Sequence, residues 1–160
     1  PATQAPQHVD MKALCESVLE DHLDAALAKG IDFGLEAQPL RVWGHVWMLR
    51  ELLTNLLDNA CKYSPPGSIV TLRCGHGGSD SAPMLEVEDN GPGIAPEHRQ
   101  RVLERFYRVA ESASVGNGLG LAIANEIARV HGGQLLVGVG RSGTGARFTL
   151  LLLRENEIGV

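Results

Sequence analysis

Residues 51–64 have the sequence Glu-Leu-Leu-Thr-Asn-Leu-Leu-Asp-Asn-Ala-Cys-Lys-Tyr-Ser. Apolar side chains recur there at helical spacing, which predicts an amphipathic helix over 46–63 that packs one stripe against a core. A polar line with spacings of four, four and three residues runs beside the stripe and consists of Glu51, Asn55, Asn59 and Lys62. Asparagine is a mediocre helix former, and its amide oxygen suits a hard cation such as Mg²⁺. The line is therefore either a solvated face or part of a binding site.

The elements on either side of this helix predict an α+β domain. A first helix is expected between the cap Asp10 and the stop Gly30. Its buried face is predicted to consist of Cys15, Leu19, Leu23 and Leu27. Strands are predicted over 31–37, 40–43, 69–74, 84–88, 134–139 and 145–153, helices over 96–103 and 119–130, and loops over 75–83 and 109–115. Helices and strands do not alternate strictly, so the sequence favours a two-layer α/β sandwich over a doubly wound parallel sheet.

Composition limits the kinds of protein that this chain can be. The 160 residues include 44% apolar residues and 19 glycines and carry a formal charge of −5, which predicts one soluble domain with its own core. The acidic balance argues against nucleic acid and anionic membranes as partners. Three cysteines without a C-x-x-C pair predict a reducing compartment rather than disulfides or a zinc site. The longest apolar run, 148–153, is too short to span a bilayer.

Three further clusters are rich in glycine. Residues 89–94 read Asp-Asn-Gly-Pro-Gly-Ile after a predicted strand, and alone they indicate no more than a turn. Residues 116–121, Gly-Asn-Gly-Leu-Gly-Leu, open a helix, where glycines let backbone N–H groups face an anion; a hinge or a dinucleotide-binding turn are the alternatives. The G-x-G-x-G spacing and the preceding loop count against the dinucleotide turn. Residues 143–148, Gly-Thr-Gly-Ala-Arg-Phe, are compatible with a hairpin turn.

Together these clusters resemble the catalytic ATP-binding domain of bacterial sensor histidine kinases, in the superfamily that includes gyrase, heat-shock chaperone ATPases and mismatch-repair ATPases. Residues 55–65 are similar to the N box of that family, 89–94 to its first glycine box, and 104–108 (Glu-Arg-Phe-Tyr-Arg) to its F box. Residues 116–121 and 143–148 are similar to the second and third glycine boxes. The resemblance implies a Bergerat-type fold with a mixed, mostly antiparallel sheet and helices on one face. It implies a catalytic domain over 10–154, a linker or terminal segment over 1–9 and a tail over 155–160.

The resemblance also implies a nucleotide site. Asn59 would hold Mg²⁺ on the ATP phosphates, Asn55 and Lys62 would be catalytic groups near those phosphates, and Tyr63 would lie against the adenine. Asp89 would accept a hydrogen bond from the adenine amino group, which favours adenine over guanine. Residues 107–115 would form a mobile ATP lid. The remaining implied nucleotide-binding positions are Gly91, Gly93, Ile94, Phe106, Gly116, Gly118, Leu119, Gly120, Leu121 and Thr144.

The implied activity is that of a protein histidine kinase. The domain would bind Mg-ATP and donate the γ-phosphate to a histidine on a separate dimerisation domain of the same receptor, for onward transfer to a response regulator. None of the six histidines sits in a His-Glu-x-x-Thr-Pro setting, so the piece is not expected to autophosphorylate in isolation, and its histidines are predicted as surface or capping residues. We expect an isolated monomer without nucleic-acid or direct membrane contact. It would be the cytoplasmic part of a receptor in the bacterial inner membrane.

The sequence departs from the family pattern in three places. Ala146 stands where threonine is frequent, His45 stands where aspartate often follows Gly44, and the lid is short. Three alternatives remain: a nucleotide-binding module without phosphotransfer, a gyrase-type ATPase and a dinucleotide oxidoreductase. Gyrase-type enzymes place a water-activating glutamate where this chain has Asn55, and the oxidoreductase would need a βαβ unit that is not evident.

Overall fold

The computed structural model describes residues 5–77, 81–105, 107 and 119–153. Within these ranges the α-helices are α1 (Met11–Lys29), α2 (Val46–Tyr63) and α3 (Gly120–Val130). The strands are β1 (Gln7–Asp10), β2 (Asp32–Ala37), β3 (Arg41–Gly44), β4 (Ile69–Gly77), β5 (Ala82–Asp89), β6 (Gln134–Val139) and β7 (Ala146–Leu151).

The strands form one main sheet and one small one. In the main sheet β2, β4, β5, β7 and β6 lie side by side in that order. β2 runs parallel to β4, and every other neighbouring pair is antiparallel. β1 and β3 form a separate antiparallel pair. The predicted α+β architecture with a mixed, mostly antiparallel sheet is confirmed.

One face of the main sheet packs against the helices. Its fully buried side chains alternate along β4, β5 and β7 and are Val70, Leu72, Leu85, Val87, Phe148 and Leu150. The apolar stripe of α2 lies in the same core, with five leucines at 0% exposure: Leu49, Leu52, Leu53, Leu56 and Leu57. α2 has the predicted bounds and is the central helix of the fold, with its polar line beside that buried stripe.

α1 has the predicted ends but a different buried face. Asp10 Oδ1 accepts a hydrogen bond from the N–H of Ala13 at 3.0 Å, and Gly30 ends the helix at φ +76°. Leu23 and Leu27 are 47% and 79% exposed, so the predicted face is wrong. Positions four residues apart drift by about 40° per step around a helix. The face that is buried mixes steps of three and four and consists of Met11, Leu14, Cys15, Val18, His22 and Ala26.

His22 is buried, contrary to the prediction that every histidine is a surface or capping residue. Its Nδ1 lies 2.8 Å from the carbonyl oxygen of Val18, and its Nε2 lies 2.9 Å from Asp58 Oδ1 on α2. A polar ring is tolerated in the interior when both nitrogens have partners. His22 therefore joins α1 to α2.

Three predicted segments differ from the structure. The predicted linker over 1–9 is wrong from Gln7 onward, because β1 pairs there with β3. The predicted loop over 75–83 is shorter, because β4 continues to Gly77, which pairs with Ala82. Over 96–103 two 3₁₀ turns, Pro96–His98 and Arg101–Leu103, replace one helix. The linker and loop predictions missed pairings with strands that the local pattern does not show.

Cys15, Cys61 and Cys74 are free thiols, and two of them are buried. Across the described residues, no helix combines the length and the apolar character that crossing a membrane requires. The predicted tail over 155–160 and most of the predicted lid lie outside the described residues.

Candidate functional site

Asp89 lies at the end of β5, where the first glycine loop (residues 89–94) begins. Its Oδ1 accepts hydrogen bonds from the N–H groups of Gly91 at 2.9 Å and Ala146 at 3.3 Å. These bonds orient the carboxylate and join the loop after β5 to the start of β7. Burial raises the pKa of Asp89 and the nearby charge of Glu88 adds to that rise, while the two backbone donors oppose it.

The first glycine loop packs backbone to backbone on the hairpin loop (residues 140–145) between β6 and β7. Gly145 has φ +80°, and a Cβ there would lie 1.9 Å from the carbonyl oxygen of Asp89. Gly93 has φ +81°, and a Cβ there would lie 2.7 Å from the carbonyl oxygen of Gly145. Neither position has room for a side chain. Two of the predicted glycine boxes are therefore in direct contact.

The same loop is held against β4 and the end of α2. Asn90 donates its N–H to the carbonyl oxygen of Ile69 at 3.2 Å and accepts the N–H of Ile69 on Oδ1 at 2.8 Å. A Cβ on Gly91 would lie 3.4 Å from Cδ of Pro65, just past α2. Ser64 Oγ is buried there without a hydrogen-bond partner among the described residues.

Asn55 lies where α2 meets the start of α3. Within the described residues its Nδ2 is buried and has no hydrogen-bond partner. Its Oδ1 lies 3.8 Å from the position that a Cβ on Gly120 would take. Leu119 is the N-cap of α3 and its side chain carries no acceptor for the first N–H groups of the helix. A buried donor and a positive helix end thus meet on the polar line of α2.

The other predicted positions on α2 follow towards its C-terminus. Asn59 is half-buried one turn after Asn55, and Lys62 and Tyr63 are exposed in the last turn. Lys29 Nζ donates to the carbonyl oxygens of Cys61 and, at 3.0 Å, of Lys62. A cation at these carbonyls stabilises the end of the helix.

The remaining predicted positions differ in exposure, and three of them are not described by the structure. Ile94 and Leu121 are half-buried and pack against the core, whereas Thr144 is exposed and its Oγ1 lies 3.2 Å from Ser142 Oγ. Phe106, Gly116 and Gly118 lie outside the described residues.

Tyr107 is the described aromatic residue of the F box. Its hydroxyl contacts His98 Nδ1, and the guanidinium of Arg101 lies 4.7 Å from the centre of its ring. Tyr107 is therefore tied to the two 3₁₀ turns that precede it in the chain.

Two groups of residues around the site were not predicted. Asn90 and Ser64 lie within quoted motifs but had no assigned role. Glu88 and Arg141 support the hairpin loop from the other face of the sheet. Because side chains alternate along β5, Glu88 lies on the face of the sheet opposite to Asp89, and the sequence alone could have indicated this placement. Its partners become evident only when the strand pairing is known.

Comparison with known proteins identifies the class. The model of the histidine kinase-, DNA gyrase B- and HSP90-like ATPase family matches residues 44–156. The swarming motility regulation sensor protein RssA of Serratia marcescens is 38% identical over 146 residues, covering 89% of this chain and 30% of RssA.

Solved structures agree with this result. The mycobacterial sensor histidine kinase MprB matches with 33% identity and a TM-score of 0.76, over 92% of this chain and 97% of the MprB chain. Full-length ShkA in complex with AMPPNP matches with 30% identity and a TM-score of 0.79, over 96% of this chain and 33% of ShkA.

The chain therefore belongs to the histidine kinase-, DNA gyrase B- and HSP90-like ATPase family, and within it to the catalytic ATP-binding domains of sensor histidine kinases. The predicted family and fold are confirmed. The chain spans 30% of RssA, 25% of the sensor protein QseC of Escherichia coli and 35% of the sensor-like kinase SenX3 of Mycobacterium tuberculosis.

Proposed function

We propose that the domain binds ATP between the polar line of α2, the first glycine loop and the start of α3. It then presents the γ-phosphate to a histidine of a separate domain, for onward transfer to a response regulator. The observation that carries this proposal is the side chain of Asn55, which lies beside the start of α3 and has a buried Nδ2 without a hydrogen-bond partner among the residues that the structure describes. An amide donor and a helix N-terminus in one place suit a phosphate group.

At the other end of the site, Asp89 serves as the acceptor for the adenine amino group. Backbone N–H groups orient its carboxylate, and the glycines of the two loops let their backbones pack closely beside it. The related ShkA structure holds AMPPNP, an adenine nucleotide analogue. The proposal that this chain recognises adenine agrees with the adenine base of the nucleotide analogue in ShkA.

The donor groups suit Mg²⁺ that enters with ATP. No three His, Cys, Asp or Glu side chains cluster as a metal site in the described part of the chain. The polar line of α2 offers amide oxygens instead, and Mg²⁺ in nucleotide sites takes few protein ligands because phosphates and water supply the rest. Asn59 is the proposed ligand. When bound, Mg²⁺ would neutralise phosphate charge, a task in which Lys62 and the N-terminus of α3 assist.

Transfer is favoured over hydrolysis because this chain has an amide where a gyrase-type ATPase places a carboxylate. Asn55 cannot take a proton from water, so the domain contributes positioning and charge neutralisation. A nucleotide-binding module without transfer is the second candidate. Incubation with γ-labelled ATP and a separately expressed histidine-bearing domain decides between them: labelled phosphohistidine supports the kinase, and ATP binding without label on the histidine supports the module and contradicts the kinase. Release of inorganic phosphate alone contradicts both.

Asn59→Ala tests the proposed Mg²⁺ ligand. Loss of the amide oxygen is expected to lower Mg²⁺-dependent ATP affinity about 10-fold, whereas affinity measured in EDTA changes little. Asn59→Asp keeps an oxygen ligand and retains the Mg²⁺ dependence. Asn125→Ala on α3 is the control for loss of a half-buried amide away from the polar line. Calorimetry measures all four proteins, and equal Mg²⁺ dependence in wild type and Asn59→Ala contradicts the assignment.

A further inference from the structure

The face of the sheet turned away from the helices carries an outer-face cluster, which consists of Arg73, Glu86, Glu88 and Arg141. Glu86 is only 3% exposed. Its Oε1 accepts hydrogen bonds from Arg73 Nη1 at 3.1 Å and Arg141 Nη2 at 2.9 Å, and its Oε2 accepts one from Thr149 Oγ1 at 2.9 Å. A carboxylate this buried requires such partners, so the cluster is a built feature of the fold.

Glu88 connects the cluster to the hairpin loop. Its Oε1 accepts a hydrogen bond from Arg73 Nη1, and its Oε2 accepts the backbone N–H of Arg141. A Cβ on Gly140 would lie 3.0 Å from the same Oε2, so the loop backbone runs directly past the carboxylate. Burial raises the pKa of Glu88, but the Arg141 N–H and the Arg73 guanidinium outweigh it and hold the pKa below its usual range. The carboxylate is thus ionised and anchored at neutral pH.

The loop that Glu88 holds is the loop that orients Asp89. It brings the backbone of Gly145 against the carbonyl of Asp89, and Ala146, which follows it, donates its N–H to Asp89 Oδ1. Glu88 and Asp89 are neighbours on β5 and point to opposite faces of the sheet. One strand end therefore carries the carboxylate proposed to bind the adenine amino group and, on the opposite face, a second carboxylate that anchors the hairpin loop.

We propose that Glu88 is a positioning residue for base selectivity: its hold on the Arg141 N–H fixes the hairpin loop, which in turn fixes the carboxylate of Asp89 for the 6-amino group of the purine. The inference rests on the proposed recognition of adenine by Asp89. A merely structural cluster would lower stability and affinity for every nucleotide alike. A positioning residue changes the preference between nucleotides that differ at the 6-position.

The test compares ATP with purine riboside triphosphate, which has hydrogen in place of the 6-amino group. Wild type is expected to prefer ATP by roughly 10-fold, the effect of one hydrogen bond to a charged acceptor. Glu88→Ala should abolish that preference and leave affinity for purine riboside triphosphate unchanged. Glu88→Gln keeps an oxygen for the Arg141 N–H and should retain most of the preference.

Glu36→Ala is the matched control. Glu36 on β2 accepts a hydrogen bond from Arg73 Nε at 2.7 Å, and no contact with the hairpin loop is recorded for it among the described residues. The variant takes a carboxylate from the same arginine and should keep the wild-type preference.

A second pair of variants gives the same test with both carboxylates intact. Gly143 donates its N–H to the carbonyl oxygen of Gly140 at 2.9 Å, which makes 140–143 a β-turn with Arg141 at its second position. Proline suits that position and lacks the N–H that Glu88 accepts. Arg141→Pro should therefore abolish the ATP preference, and Arg141→Ala, which keeps the N–H, should retain it. This pair decides the question if Glu88→Ala does not fold.

Calorimetric affinities for both nucleotides and the unfolding temperature are measured for every variant and for Asp89→Asn. The inference is overturned if Glu88→Ala and Arg141→Pro keep the ATP preference, or if they weaken binding of both nucleotides equally. If wild type shows no preference, or Asp89→Asn keeps it, the proposed adenine recognition fails instead. Loss of preference in Asp89→Asn with preference kept in Arg141→Pro overturns the role of Glu88 alone.

Discussion

At the scale of single residues, Asp89 lies in surroundings that disfavour a charged carboxylate. Its pKa is raised, chiefly by burial, so folding opposes the ionised form above the pKa of the unfolded chain. Asp89→Asn removes the charge and keeps an oxygen for the N–H groups of Gly91 and Ala146. We expect the free energy of unfolding without nucleotide to rise, by less than about 1 kcal/mol because water screens the partly exposed group. Urea unfolding at pH 7 measures it, and a clear loss of stability would show that the charge holds the loop.

Gly145 and Gly143 allow crowding to be separated from backbone strain. Both have positive φ, +80° and +89°, but a Cβ on Gly143 meets nothing within 4 Å, whereas one on Gly145 collides with Asp89. Gly143→Ala is expected to cost about 1 kcal/mol from the backbone conformation alone. Gly145→Ala should cost at least about 3 kcal/mol, because the loops must separate. Denaturant midpoints compare the two, and equal costs would contradict the close approach.

At the scale of elements, His131 joins the C-terminus of α3 to the N-terminus of α2. Its Nε2 accepts the N–H of His45 at 3.1 Å, and its Nδ1 donates to the carbonyl oxygen of Ile127 at 2.8 Å. A Cβ on Gly44 would lie 2.4 Å from the His131 ring, so the ring occupies the space that this glycine leaves. The bonding requires a neutral imidazole with its proton on Nδ1.

This junction predicts a pH dependence of stability. Burial lowers the pKa of His131, the charge of His45 lowers it further, and the Ile127 carbonyl opposes both. A histidine whose folded pKa lies below its unfolded value of about 6.5 contributes stability above that value and loses it as the pH falls through the folded pKa. The unfolding temperature is expected to fall between pH 7 and pH 5.5, and less steeply in His131→Gln. Parallel pH profiles of the two proteins would rule out His131 as the cause.

The elements that could be predicted are those whose signals are local. α2 shows its apolar stripe within its own sequence, and Asp10 and Gly30 mark the ends of α1 by side-chain capping and left-handed conformation. β1 could not be recognised because its partner, β3, lies some thirty residues away and supplies its hydrogen bonds. The prediction of the buried face of α1 was wrong because positions at a strict four-residue spacing drift around the helix.

At the scale of the whole molecule, the order of the motifs predicted the parts of the site, but the contacts between them came only from the fold. Nothing local links Asp89 to Ala146, 57 positions later, or Asn55 to Gly120. The outer-face cluster was missed for the same reason: Arg73, Glu86 and Arg141 belong to separate segments that the sheet brings together. The residues of the outer-face cluster lie on the sheet face opposite to the proposed site and belong to no motif that the sequence shows.

The position of β7 also has a consequence for how the chain is made. β7 is the last described strand in the sequence, yet it lies between β5 and β6 and completes the hydrogen bonding of β5. While the chain leaves the ribosome, β5 has an open edge until residues 146–151 emerge, and Asp89 lacks its Ala146 donor. An incomplete polypeptide that ends before residue 146 therefore exposes a strand edge that invites aggregation. The proposed adenine site is therefore complete only after residues 146–151 have been synthesised and paired with β5.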